Sequence, residues 1–207
     1  MPNHVENRLI FTAPGHVLEA IRVFFRKGFD FNRLIPMPPE LDVPDDSQGQ
    51  LGYKILYGDW ESVARYDWTP DARSRQELVD WLAQRNPEAL ELGRRYRENE
   101  RRHGAKTWYQ WALDHWGTKW NAYQFRIVND DEPFEVAFLT AWAPPHPVIE
   151  ALARWFIQAT IHHACVGEFG RPSEVRTYRH GRMRFLVATG DVFNLARGFA
   201  RLDREPA

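Results

Sequence analysis

Thr118-Lys119-Trp120-Asn121-Ala122-Tyr123-Gln124-Phe125-Arg126-Ile127-Val128, then Asn129-Asp130-Asp131-Glu132-Pro133, then Phe134-Glu135-Val136-Ala137-Phe138-Leu139-Thr140-Ala141-Trp142 reads as strand, turn and strand. The flanks are rich in aromatic and β-branched residues and the middle in turn formers, the pattern of an antiparallel hairpin. Downstream, Pro144-Pro145-His146-Pro147 breaks the sheet and opens a helix through Ile149, Leu152, Ala153 and Phe156, after which Thr160 to Val166 reads as a strand. Upstream, residues 3–12 alternate, with Val5, Leu9 and Phe11 on one face and His4, Glu6 and Arg8 on the other. Pro14-Gly15 ends that strand, and Val17, Leu18, Ile21, Phe24 and Phe25 recur at helical spacing up to Gly28. Phe29 to Ile35 reads as a second short strand, closed by Pro36-Met37-Pro38-Pro39. The order β-α-β, insertion, β-β-α-β predicts an α+β fold of the split βαβ kind. Helices are expected on one face of an antiparallel sheet whose central strands come from 3–12 and 118–128.

The chain is expected to form a single domain over 1–207, with 40–103 an inserted acidic loop and helical subregion and 171–207 a C-terminal extension. Within the insertion, Leu51, Tyr53, Ile55 and Tyr57 alternate as in a strand. Ser74-Arg75-Gln76-Glu77 then forms a capping box for a helix to about Arg85. Asn86-Pro87 opens a helix ending near Gly104, and Thr107 a third that stops at Gly117. The extension reads as a hairpin, Val175–His180 and Arg182–Ala188 turning at Gly181, followed by a helix from Asp191 to Leu202.

The net charge of −1 hides a segmental asymmetry. Residues 38–71 carry eight acids against Lys54 and Arg65, whereas 171–204 carry eight arginines against Glu174, Asp191 and Asp203. Charge separated in this way can steer a partner or let two copies of the chain pair. The single Cys165 excludes an intramolecular disulfide and any four-cysteine metal site, and fits a reducing compartment. No apolar run approaches the roughly 18 residues of a membrane span, and Met1-Pro2-Asn3-His4 lacks the plan of a signal peptide, so a soluble cytoplasmic protein is expected.

Trp116-Gly117-Thr118-Lys119-Trp120-Asn121-Ala122-Tyr123 packs three rings, a glycine break, a cation and a carboxamide into eight residues without a catalytic base. Such rings serve equally as core filler and as a binding platform. Strand alternation places Trp120 inward, with Trp116 and Trp142 packing the helices onto the sheet. Lys119, Asn121 and Tyr123 then face outward as the expected recognition face. Should the tryptophan face be the open one, a stacking ligand such as a base or sugar moves ahead of a protein partner. Arg94, Arg97 and Arg101 on one helix face, and Arg179, Arg182 and Arg184 on the late hairpin, are candidate phosphate contacts that suit an acidic protein surface as well. The pI near 6.7 argues against a dedicated DNA-binding domain. His163 and Cys165 share a strand face, which permits a thiol–imidazole pair, yet no orienting acid or oxyanion donor is suggested beside them. No phosphate-cradling loop, nucleophile elbow or zinc-protease helix occurs in the sequence.

Three segments together resemble the YubB-like family. They are Met1-Pro2-Asn3-His4-Val5-Glu6-Asn7-Arg8-Leu9, Phe29-Asp30-Phe31-Asn32-Arg33-Leu34-Ile35-Pro36-Met37-Pro38, and Trp116 to Tyr123 with Thr140-Ala141-Trp142-Ala143-Pro144-Pro145. The resemblance spans roughly residues 1–40 and 105–155. It implies a phage- or plasmid-borne protein with a ferredoxin-like domain, of no established activity, and supplies no catalytic residues. The expectation that follows is a non-enzymatic accessory protein of a mobile element that binds a host macromolecule, an anti-defence or establishment factor being the role the resemblance suggests. A host protein is the expected partner, with nucleic acid only a weak ligand, no membrane, no cofactor and no metal. A nucleic-acid-binding protein using the arginine clusters is the alternative, and a small-molecule-binding or hydrolytic enzyme a second.

Overall fold

In the computed structural model, residues 3–170, 173–188 and 191–203 are described. Met1-Pro2 of the amino-terminal motif, and Arg171 and Arg204 of the arginine-rich extension, lie outside them. The chain divides into two compact units, Met1–Pro36 with Ala112–Ala207, and Met37–Trp111.

In the first unit the elements are β1 (His4–Thr12), α1 (Gly15–Phe25), β2 (Tyr123–Asn129), β3 (Phe134–Ala141), α7 (His146–Trp155), β4 (Thr160–Gly167), β5 (Ser173–Arg179), β6 (Arg182–Val187) and α8 (Val192–Leu202). All strand pairs are antiparallel and the sheet order is β2-β3-β1-β4-β5-β6. The first four strands with α1 and α7 make the βαββαβ ferredoxin-like plan, and the β5–β6 hairpin widens the sheet beside β4. Odd-numbered β1 residues Val5, Leu9 and Phe11 are buried. On that face Phe11 meets Phe25 of α1 at 5.6 Å between ring centres, and Phe24 meets Phe156, just past α7, at the same distance. The opposite face is not left open. Ile10, Ala164 and Val175 pack there against Val192, Ala196 and Ala200 of α8, so helices cover both faces rather than one. The arginine-rich extension folds back because α8 is strongly amphipathic and carries its own clamps: Arg197 donates twice to the buried Glu135 at 2.9 Å, and His162 bonds Asp203 at 2.9 Å.

Two strand expectations fail in this unit. Phe29 to Ile35 forms a 3-10 turn over Phe31–Arg33, because Asp30 accepts from the Asn32 amide and caps the turn. The segment 118–122 is irregular and the strand begins only at Tyr123, as the edge strand β2, so the interior strands are β3, β1, β4 and β5, with β1 and β4 at the centre. Gly28 and Gly117 both stop helices at positive φ, 91° and 77°, as their placement after apolar-periodic segments predicts.

The second unit holds a 3-10 turn (Pro39–Leu41) and α2 (Ser47–Tyr57), α3 (Trp60–Ala64), α4 (Arg75–Arg85) and α5 (Pro87–His103); α6 spans Trp108–Trp116. The alternation expected as a strand at Leu51–Tyr57 is instead α2, opened by Asp46 accepting from the Gly49 amide. Ser74 caps α4 by accepting from the Glu77 amide at 3.3 Å, and α5 ends on Gly104 at φ 73°. The buried faces of α2, α4 and α5 meet around Ile55, Leu78, Leu82 and Leu90. Among the described residues no helix is long and apolar enough to cross a membrane.

Candidate functional site

The eight-residue aromatic motif does not lie as strand alternation predicts, because it precedes the strand. Trp116 is buried and its indole N–H donates to the Ile35 carbonyl at 2.9 Å, with Phe31 edge-on at 5.7 Å. Asn121 turns inward: its carbonyl accepts from the Phe31 amide at 2.9 Å and the Ala122 amide at 2.8 Å, and its NH2 donates to Asp30 at 2.6 Å. Burial pushes the Asp30 carboxyl upward, but the hydrogen bonds from Asn121 and Asn32 outweigh it and hold Asp30 below its ordinary value. Asn121 is therefore a clip between two loops and not a recognition group. Trp120 and Trp142, expected inside, are 38% and 43% exposed.

These two rings flank Lys119, whose Nζ lies 5.0 Å from the Trp120 ring centre and 4.6 Å from that of Trp142, both within cation–π reach. Trp142 sits at φ 75°, in the left-handed region that a bulky aromatic residue adopts only at a cost. Its backbone is fixed by donation of its N–H to the Asn3 carbonyl at 2.8 Å, while Thr118 Oγ1 donates to the Ala141 carbonyl at 2.7 Å and anchors the facing segment. Trp120 meets Tyr123 edge-on at 6.3 Å. The Tyr123 hydroxyl donates to the Thr140 carbonyl at 3.2 Å and shares a 2.5 Å hydrogen bond with His4 Nδ1, and His4 in turn faces Glu168 at 3.7 Å. Burial, and then the Glu168 charge, raise the Tyr123 phenol. The result is a platform of Trp120, Trp142, Lys119 and Tyr123 at the end of the sheet where β1 begins. Strand register brings His4 and Glu168, which the sequence does not link to the aromatic motif, beside Tyr123.

The arginines expected to contact phosphate do not form an open basic face. Arg94, Arg97 and Arg101 on α5 pair with Glu91, Glu100 and Glu98 at 3.3, 3.0 and 2.9 Å, and Arg179 is drawn onto Asp203. Arg182 and Arg184 stand exposed on the edge strand β6. On the sheet face toward α8, β1 presents His4, Glu6, Arg8 and Ile10, and β3 presents Ala141, Leu139, Ala137 and Glu135. Neither β1 nor β3 presents a Phe, Tyr or Trp there for bases to stack on, whereas Tyr123 of the edge strand β2 and Phe185 of the edge strand β6 share that face. Arg8 bonds both Glu6 and Glu135. Tyr53 and Tyr57 lie on α2 instead of on a strand.

His163 and Cys165 do share a face, and both are fully buried. His163 Nε2 is 3.0 Å from Asn7 Oδ1, whose amide donates to Thr140. Burial pushes the Cys165 thiol up to about 12, the reverse of an activated nucleophile. An acid lies near after all, Glu174, but it bonds His146 at 2.8 Å and not His163. His162 faces the other way, between Thr177 and Asp203, with no exposed atoms. Among the described residues no group of three or more His, Cys, Asp or Glu is placed to hold a metal ion.

The strand order and connections define an α+β fold of ferredoxin-like topology. Residues 115–181 match a family model described as the ferredoxin-like domain in Api92-like protein. The crystal structure of protein api92 from Yersinia pseudotuberculosis is similar in fold, with a TM-score of 0.51 at 11% identity over 92% of this chain and 99% of that one. No curated protein sequence matches.

Proposed function

We propose that the protein is a non-enzymatic binding protein that engages a host protein through the Trp120–Lys119–Trp142 platform. The carrying observation is the pair of half-exposed indoles held on either side of a lysine, one of them at a backbone angle unfavourable for tryptophan. Rings kept in solvent against the hydrophobic effect, on a backbone fixed in advance, suit a contact surface that loses little entropy on binding. The resemblance to YubB-like proteins carries the further reading of a phage or plasmid accessory factor acting against or alongside host machinery. A host protein stands ahead of nucleic acid because four of the six candidate arginines are occupied by carboxylates.

One observation favours a second reading. With the indoles partly exposed and Asn121 inside, base stacking on Trp120 and Trp142 with a phosphate on Lys119 is a second way to use the platform. Capture from host lysate with the wild-type protein and with the Trp120→Ala/Trp142→Ala variant, followed by titration of both with single-stranded DNA and RNA at low and physiological salt, tests the two. A protein captured by wild type alone supports the first. Sub-micromolar, platform-dependent binding of single strands at physiological salt replaces it with the second.

A further inference from the structure

The sheet ends on β6, and among the described residues no strand pairs with its outer side. A terminal strand presents a row of unpaired backbone N–H and C=O groups, which is a template for a further strand. This edge is fixed from both faces of the sheet. Phe185 points toward α8 and meets Phe199 edge-on at 5.3 Å, while a Cβ added at Gly181, in the β5–β6 turn, would stand 3.4 Å from the Arg154 Cα of α7. Pairing of Met183 with Tyr178 and of Phe185 with Thr177 leaves Arg184 as the extra residue of a bulge, a device that re-aims a side chain. Arg182, Met183, Arg184 and Leu186 are all exposed.

Charge selects what can pair with this edge. On β5, Arg176 is held by Glu174 and Arg179 by Asp203, whereas Arg182 and Arg184 on β6 make no ion pair among the described residues. Arg154, exposed beside the turn, is a further cation without one, since Glu150 a turn earlier on α7 pairs with none of the three. Two copies joined through β6 would bring the same arginines to one seam, and like charges across a strand pair are destabilising. The charges that block self-pairing favour a strand of opposite sign. Met183 and Leu186 share the sheet face opposite Phe185 and offer apolar contact to alternate side chains of that strand. We propose that β6 docks an extended acidic segment of a partner polypeptide as a further strand of the sheet, its backbone completing the ladder and its carboxylates lying beside Arg182 and Arg184.

Fluorescence anisotropy with a fluorescein-labelled peptide alternating glutamate and valine, and with the same peptide carrying lysine for glutamate, tests the assignment on the full chain. Hydrogen–deuterium exchange of the complex then locates the contact. The glutamate peptide should saturate, the lysine peptide should not, and amide exchange should slow over Arg182–Val187. Arg182→Glu/Arg184→Glu should weaken the glutamate peptide about tenfold. Circular dichroism of this variant should match wild type, since both side chains are exposed. The proposal is overturned if the glutamate peptide fails to saturate, if the lysine peptide binds equally well, or if the charge-reversed variant binds like wild type. Binding that leaves the exchange of β6 unchanged overturns it too, because a contact made by side-chain charge alone does not order the backbone edge.

Discussion

Asn121 and Trp120 are neighbours in the chain with opposite roles, and single substitutions should separate them. Asn121→Ala removes a carboxamide that closes three hydrogen bonds and leaves the Phe31 amide without its acceptor. Its cost should be about 1–3 kcal/mol. Trp120→Ala trims a ring that is 38% exposed and should cost well under the ~3–5 kcal/mol of a buried aromatic truncation. Thermal melts of the two variants side by side check this, and a larger loss for Trp120→Ala would mean the ring belongs to the core. Trp142 offers a second residue-level test through its φ of 75°. Trp142→Gly relieves backbone strain that Trp142→Ala retains, so the glycine variant should be the more stable of the two by about 1 kcal/mol, while both lose the partner. Equal melting temperatures would show that the left-handed conformation relaxes once the ring is gone. The composition of this motif is legible in the sequence, but its orientation is not. Period-two alternation holds only within a strand, and the strand starts at Tyr123.

Elements with local punctuation were readable, and those fixed by distant contacts were not. The capping serine at Ser74, the proline at the start of α5 and the glycines after α1, α5 and α6 mark boundaries that the structure reproduces. Residues 51–57 alternate in the manner of a strand, yet they wind into a helix because α2 packs on α5 through glycines. A Cβ added at Gly93 would stand 2.5 Å from the Gly52 carbonyl carbon, and that close approach is invisible in a hydropathy pattern. Gly93→Ala should therefore push the two helices apart at a cost of about 1–3 kcal/mol, even though alanine favours helix by about 1 kcal/mol over glycine. Denaturant titration showing a stabilised variant would contradict the packing.

For the whole molecule, the βαββαβ order was recoverable from β1, α1 and the stretch from β2 to β4, whereas the covering of the second sheet face by α8 required the long-range pairs Arg197–Glu135 and His162–Asp203. Burial of histidines on both faces of the sheet, His162 under α8 and His163 with His146 of α7 on the other side, creates a pH dependence. Burial lowers all three of His146, His162 and His163, to about 4 for His146 and well below the ordinary value for His163. In the unfolded chain each regains a value near 6.5. Stability is thus fully present above that pH, and is lost as pH falls below it toward the folded values, because the unfolded chain binds more protons. The slope should approach 1.4 kcal/mol per pH unit for each imidazole. Urea midpoints measured between about pH 7.5 and 5 should fall steadily, and a flat profile would mean that these imidazoles titrate in the fold as they do in the unfolded chain.

The half-exposed indoles around Lys119 are proposed as a recognition surface and not as part of the core. Capture from host lysate by wild type and by Trp120→Ala/Trp142→Ala, with melting curves for both, is its most direct test. A discrete partner should be held by wild type and lost by the double variant while the melting temperature stays close to wild type. A variant that retains the partner, or one that loses it only because it no longer folds, would contradict the claim.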